Sequence, residues 1–339
     1  PFEISMKGVV WDVWWAGLGG CFSAWVVFFT MVNGNILPVL SLLLLYPLFP
    51  SLHSAILTWL ANTGWGAIIH YTEAVGGLSP QFTTSGRPLS AFKGNKIVLS
   101  NHVCMTDGLA IFAIADRAGV LGNLKFFAKR VLFYTPFLGL AAYFLNFIFL
   151  ARQWDRDKHS LRRVFGDMVD HAEERRFWMV VFPEGTRMCR EKLEASQGFS
   201  RERGLPVMEH VLVPRSKGLA ATLNALRGSV DAVVDVTLGY PTDEAGVPRP
   251  TLVDLMWRRR GPWPLHIHVR VIPVKDVPED EEGVRLWLQG RFEEKERMLQ
   301  GLRRTGGFEC GADAPPFPER PSGPGVARAM ALEVLGYTG

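Results

Sequence analysis

From Val13 to Thr72 the chain carries no Asp, Glu, Lys or Arg, a run of sixty residues. A stretch that long without charge belongs in protein interior or in lipid, and it limits every fold the rest of the chain can adopt. Ala16 to Val32 is apolar and rich in Gly and Trp, Asn33-Gly34-Asn35 reads as a turn, and Ile36 to Pro50 is apolar again. Each arm falls a little short of the ~20 residues that cross a hydrocarbon core. The expectation is a helical hairpin embedded in the membrane, either two short tilted spans or a re-entrant pair, with both ends on one face. Trp11, Trp14, Trp15 and Trp25 suit an interfacial belt, and Ser51 to His70 reads as a further helix lying along the membrane surface. A cleaved leader is not expected, because the apolar region is too long and Lys7 is accompanied by Glu3 and Asp12.

The remainder reads as strands separated by helices. Leu78 to Lys93, with its Gly, Pro, Ser and Thr, is taken as a loop. Lys96 to Ser100 is strand-like and Leu109 to Ala118 helix-like. Leu132 to Leu150 is again uncharged, and is expected as a buried or membrane-contacting helix broken at Pro136 and Gly139, followed by a strand from Asn146. Trp154 to Arg176 places Leu161, Val164, Phe165, Met168, Val169 and Ala172 at helical spacing. Then come a strand at Phe177 to Val181, a helix at Gly218 to Leu226 and a strand at Ala232 to Leu238. Leu265 to Val274 alternates, with His266 and His268 on its wet face; without a third ligand they read as plain exposed histidines rather than a metal pair. Glu279 to Arg304 is expected as a surface helix. This order implies an α/β unit, a central mixed and largely parallel sheet flanked by helices. The expected divisions are 1–72 for the membrane hairpin and interfacial helix, 73–304 for the α/β domain and 305–339 for a loosely ordered tail.

Candidate chemistry sits at two strand ends. His102 and Asp107 lie five apart in Asn101-His102-Val103-Cys104-Met105-Thr106-Asp107-Gly108, between the Lys96 strand and the Leu109 helix. There a carboxylate can fix an imidazole's tautomer, and the ring can take a proton from a hydroxyl whose oxygen attacks an acyl carbon. The bland alternative is a satisfied core histidine beside a helix start. Phe182-Pro183-Glu184-Gly185-Thr186-Arg187 follows the next strand. Its Arg can fork two hydrogen bonds to a phosphate, its Gly lets backbone approach closely, and Glu184 would hold Arg187 or a substrate hydroxyl. The bland alternative there is an ordinary Pro-Glu-Gly turn. Lys125, Lys129, Arg130, Arg152, Arg156, Arg187, Arg190, Arg215 and Lys217 gather near these motifs, although the net charge is only +4. That balance suits anionic lipid headgroups and does not by itself indicate nucleic acid. Cys21, Cys104, Cys189 and Cys310 are scattered without a CxxC pair, which fits a reducing, cytosol-facing compartment. Cys104 reads as a small buried thiol rather than a nucleophile, and no GxSxG elbow for an acyl-serine hydrolase is present.

Asn101-His102 with Asp107, and Phe182 to Arg187, in this order, resemble the NHxxxxD and FPEGTR blocks of the lysophospholipid and glycerol-phosphate acyltransferase family. Phe127-Ala128-Lys129-Arg130 with Pro136, Gly139 and Phe147 to Arg152 looks like the family's second block. Val213 to Gly218 and Val233 to Leu238 are similar to its later segments, with Asp235 where many members carry proline. The likeness covers about residues 90–240 and is nearest the eukaryotic branch acting on lysophosphatidate, lysophosphatidylinositol or lysocardiolipin. It implies a membrane enzyme, expected at the endoplasmic reticulum with its site facing the cytosol. The implied reaction is acyl transfer from acyl-CoA, a co-substrate, to a lysophospholipid acceptor, most directly lysophosphatidate, with no cofactor and no metal. It further implies His102 and Asp107 as the catalytic pair. Asn101, Lys129, Arg130, Arg152, Glu184, Gly185, Thr186, Arg187 and Lys217 would contact substrate. A non-catalytic lipid-binding descendant of the fold is the rival from another class.

Overall fold

Among the described residues, short runs rich in Val, Ile, Leu and Phe supply most strands of a seven-stranded sheet, as their β-branched and aromatic content favours. The strands are β1 (Leu78–Gly86), β2 (Asn95–Ser100), β3 (Leu124–Lys129), β4 (Ile148–Leu150), β5 (Trp178–Val181), β6 (Val230–Gly239) and β7 (Trp263–Pro273). The computed structural model describes residues 31–135, 138–145, 147–151, 154–173, 176–244, 246–258, 261–309, 311 and 314–320, with seven further positions between Gly17 and Phe29.

The sheet order is β1-β7-β6-β2-β5-β3-β4, and only the β6–β7 pairing is antiparallel. The expected mixed, largely parallel sheet is therefore present. β2, β3, β4, β5 and β6 run the same way, so their carboxyl ends share one edge. In open α/β sheets that edge is where ligands bind. β1 corrects the expected loop at Leu78 to Lys93: Leu78–Gly86 pairs with β7 along its whole length, Leu78 opposite Trp263 and Gly86 opposite Val271. Its Pro and Ser suggested a loop, but an edge strand tolerates Pro80, and the β-branched Thr83 and Thr84 suit a half-buried pleat.

Alternate side chains feed two cores. Val98, Trp178, Val180 and Val234 point into one, with helix α3 (Asp107–Arg117) and the end of α2 (Pro50–Ala74). Ile97, Leu99, Met179, Val181 and Val233 point into the other, with α5 (Trp154–Asp170), α7 (Ser216–Leu226) and α8 (Glu281–Thr305). β2 is buried throughout, even Lys96, whose ammonium donates to the carbonyls of Phe92 (2.8 Å) and Gly94 (2.7 Å). α8 is more than the expected surface helix, since Val284, Leu288, Phe292, Leu299 and Leu302 seal the second core. Asp280 caps its start through the Gly283 N–H (2.7 Å), and left-handed Gly306 closes its end.

The N-terminal turn differs from the expectation. Asn33-Gly34-Asn35 lies inside a π-helical stretch, Val32–Ile36, that runs into α1 (Leu37–Leu44). The chain reverses later, at Leu45 to Phe49, and Ser41 and His53 hydrogen-bond across the reversal (2.9 Å). Gly34 has a packing role instead: a Cβ there would stand 2.9 Å from Cβ of Ala141 in α4 (Leu138–Phe144). Among the described residues no helix is long and apolar enough to cross a membrane. The stretch Leu132 to Leu150, expected as a helix broken at Pro136 and Gly139 and then a strand from Asn146, instead holds the end of a 3₁₀ turn, Arg130–Tyr134, then α4, which runs through Gly139, and β4; Pro136 and Asn146 lie outside the described residues. Gly139 is needed there, because a Cβ would lie 2.0 Å from the Phe133 carbonyl oxygen.

Two further expectations change. His268 is buried, with Nδ1 bonded to the Thr83 hydroxyl (3.0 Å) and Nε2 to the Ser85 hydroxyl (2.9 Å). Burial, helped by Arg270, pushes the ring down to about 4, so it is a neutral inter-strand link. Part of the stretch expected to be loose also packs. Phe317 stacks on Phe82 at 4.4 Å, and Arg320 bridges Glu73 and Asp116. Residues 321–339 lie outside the described residues.

Candidate active site

β2 ends at Ser100 and α3 begins at Asp107, so the turn between them brings His102 beside the first carboxylate of the helix. His102 Nδ1 and Asp107 Oδ2 are 2.7 Å apart. The same oxygen accepts the backbone N–H groups of Val103 (2.7 Å) and Cys104 (3.1 Å). Its other oxygen accepts the Tyr240 hydroxyl at 2.8 Å. Asp107 is fully buried, whereas the His102 side chain is 24% exposed. Pairing through Nδ1 selects the tautomer that leaves Nε2 as an acceptor, which can take a proton from a substrate. Phe182 stacks on the ring at 4.4 Å and 26°, which limits its rotation.

The second motif braces the first. Phe182 to Gly185 forms a turn, with the Gly185 N–H donating to the Phe182 carbonyl (3.0 Å), and Gly185 is left-handed at φ 70°. Glu184 is buried and its Oε1 accepts the His102 N–H (3.1 Å), while the His102 carbonyl accepts the Met188 N–H (2.9 Å). Both backbone groups of the histidine are thus held from the neighbouring strand end. Burial pushes the Glu184 carboxyl well above the ordinary glutamate range, with the His102 N–H and, after it, Lys295 working the other way. Its expected partner was Arg187 or a substrate hydroxyl; the structure gives it the histidine backbone instead. Asn101 likewise differs from its expected substrate contact. Its buried amide donates to the Leu238 carbonyl (3.0 Å) and accepts the Leu238 N–H (2.8 Å), tying β2 to β6.

The cations do collect on the expected edge. Lys129 and Arg130 are exposed at the carboxyl end of β3, Arg187 is exposed after β5, and Arg215 and Lys217 are exposed at the start of α7. None of these five has an ion-pair partner among the described residues. Arg215 extends past Gly185, its Cδ, Nε and Cζ lying 3.7–3.9 Å from where a Cβ there would stand. Thr186 is half-buried beside them, and Arg152 lies outside the described residues. Bare, clustered guanidinium and ammonium groups beside an open imidazole suit an anionic substrate that presents a hydroxyl.

Cys104 offers no nucleophile. Burial and the charge of Asp107 push its thiol up to about 12, and its Sγ is 2.8 Å from the Thr106 hydroxyl. Asp235, which stands in the β6 position where proline was noted, is buried and compensated by two cations of α8. Arg291 Nε donates to it at 2.9 Å, and Lys295 pairs with it while also donating to the Val236 carbonyl (2.6 Å). Sequence reasoning missed Lys295 and Tyr240. A lysine in a charged helix gives no sign of burial, but Tyr240 directly follows the last motif strand and was open to that inference.

Residues 81–238 match a family model described as Acyltransferase, and residues 258–329 one described as Acyltransferase C-terminus. Human 1-acyl-sn-glycerol-3-phosphate acyltransferase delta is 34% identical over 235 residues, which cover 69% of this chain and 60% of the relative. The delta protein of Mus musculus is 35% identical over 216 residues, covering 64% and 55%. The gamma protein of Pongo abelii is 29% identical over 286 residues, covering 84% and 74%. The chain spans 55–60% of the length of the delta relatives.

Proposed function

Because the chain belongs to the lysophospholipid and 1-acylglycerol-3-phosphate acyltransferase family, we propose that it transfers a fatty acyl chain from acyl-CoA to the free hydroxyl of lysophosphatidate, giving phosphatidate. The observation that carries this reading is the 2.7 Å His102–Asp107 pair through Nδ1, on a histidine whose side chain stays partly exposed. His102 Nε2 takes the acceptor's proton as the hydroxyl oxygen attacks the thioester carbonyl. Asp107 stabilises the imidazolium that forms. The carbon–sulfur bond then breaks, and the imidazolium proton passes to the departing thiolate. A thioester is reactive enough for direct transfer, so no acyl-enzyme is required.

Arg187, Lys129, Arg130 and Lys217 hold the acceptor phosphate or the phosphates of CoA in this reading, with Gly185 and Thr186 shaping the turn beneath them. Their exposure without ion-pair partners supports that assignment. The apolar N-terminal segment lies in the membrane as an interfacial or re-entrant element. Support comes from its exposed apolar side chains, with Phe28 and Leu43 both 66% exposed, Leu44 69% and Leu48 74%. Val131, Phe133, Tyr134 and Tyr143 extend this surface, since α4 packs on the π-helical stretch at Gly34. Scattered cysteines fit a site facing the cytosol, and we assign the enzyme to the endoplasmic reticulum membrane.

The test is acyl transfer from radiolabelled oleoyl-CoA by the detergent-purified chain, offered lysophosphatidate, lysophosphatidylinositol and lysocardiolipin separately. Transfer to lysophosphatidate is expected. Transfer to another acceptor alone would change the headgroup, and transfer to none would favour the non-catalytic lipid-binding reading.

A further inference from the structure

Asp107 has two oxygens, and they face different parts of the fold. Oδ2 serves the histidine turn, accepting from His102 and from two backbone N–H groups. Oδ1 is reached from across the sheet by the Tyr240 hydroxyl at 2.8 Å, with the Cys104 thiol farther away at 3.6 Å. Tyr240 follows Gly239, the last residue of β6, and its position is closely constrained. Asn101 bonds both backbone groups of Leu238, and a Cβ on Gly239 would come within 2.2 Å of Leu302. The ring packs against the first core.

We propose that Tyr240 is a positioning residue, whose hydroxyl sets the rotation of Asp107 and limits the negative charge that the carboxylate presents to His102. This rests on the acyl-transfer reading only for its kinetic readout. A carboxylate gripped on both oxygens cannot swing Oδ2 away from the ring. A donor on Oδ1 also draws charge from Oδ2, so the imidazolium is stabilised less than by a free carboxylate. Burial and the neighbouring Asp107 hold the phenol well above its ordinary range, so it remains a donor throughout the working pH range. The other titratable groups facing the pair are Cys104 from the same turn and Glu184 from the β5 end, the latter facing Lys295 of α8. None of these is altered by the test.

The experiment compares wild type with Tyr240→Phe in the full chain in detergent. One readout is the pH profile of acyl transfer. The other is the pH dependence of His102 carbethoxylation by diethyl pyrocarbonate, followed by peptide mass spectrometry. Loss of the hydroxyl should lower kcat about tenfold, the scale of one hydrogen bond to a charged group, with KM for both substrates unchanged. Both the acidic limb of kcat/KM and the onset of His102 modification should move to higher pH, because the released carboxylate favours the imidazolium more. A lower kcat with both pH curves unmoved would make Tyr240 a packing residue and overturn the proposal. Unchanged kcat and unchanged curves would overturn it too. So would a variant that fails to fold, since the hydroxyl would then support the fold rather than the pair. If wild type transfers no acyl group, the proposed reaction fails, and the carbethoxylation curves still decide this inference.

Discussion

Replacing Glu184 separates its two possible uses, bracing the histidine backbone and carrying charge. Glu184 is 3% exposed, and its Oε1 accepts the His102 N–H at 3.1 Å. Burial raises the carboxyl well above the ordinary glutamate range. Gln keeps both the volume and an oxygen for the His102 N–H, so Glu184→Gln should retain kcat within about threefold. Glu184→Ala leaves that N–H unbonded inside the protein, at about 1–3 kcal/mol, and deletes a buried methylene worth about 0.8 kcal/mol. A stability loss of about 2–4 kcal/mol is expected, with kcat lowered at least about tenfold as the His102 turn loosens. The pH dependence has a definite sign. An unfolded chain loses this proton near about 4.3, whereas the native state keeps it to higher pH. The stability contributed by the neutral carboxyl is therefore complete below that value and drains away as pH rises through the folded-state titration. Glu184→Gln should thus gain stability relative to wild type from pH 5 upward. Thermal unfolding from pH 5 to 8 and initial transfer rates, measured on all three proteins, test this. A Gln variant as inactive as the Ala variant would refute the reasoning, because the negative charge itself would then be required.

Three more outcomes follow from the same geometry. Asp107→Asn removes the carboxylate charge whose Oδ2 lies 2.7 Å from His102 Nδ1; a contact charge pair is worth on the order of 4 kcal/mol at an effective dielectric of 20, so kcat should fall about a thousandfold with KM little changed. Cys104→Ser should keep activity within a few-fold, and iodoacetamide should not inactivate wild type through Cys104, since burial and Asp107 push that thiol up to about 12. Leu44→Asp with Leu48→Asp should reduce co-sedimentation with anionic phospholipid vesicles while leaving thermal unfolding unchanged, because both side chains are exposed.

Much of the candidate site's placement was legible because its signals are local. A Val- or Phe-rich run followed by a motif residue locates a strand's carboxyl end, and parallel strands then bring His102, Lys129 and Phe182 to one edge. What was not legible depends on distant partners. Glu184 looks like a surface carboxylate in the sequence, yet the His102 turn covers it. Lys295 sits in a helix rich in Glu and Arg, and only the buried Asp235 explains its depth. β1 went unseen because an edge strand carries Pro and Ser that a central strand would not. Asn33-Gly34 has the composition of a turn, but the close approach of Ala141 uses that glycine inside a helix.

The central claim is that the His102 ring, held by Asp107, takes the acceptor's proton. The direct measurement is the initial rate of oleoyl transfer to lysophosphatidate by wild type and by His102→Ala, both shown to be folded by thermal unfolding in the same detergent. Transfer by wild type that falls at least about a thousandfold in the variant, with no free oleate released in its place, is the predicted result. Comparable transfer by the folded variant would contradict the account.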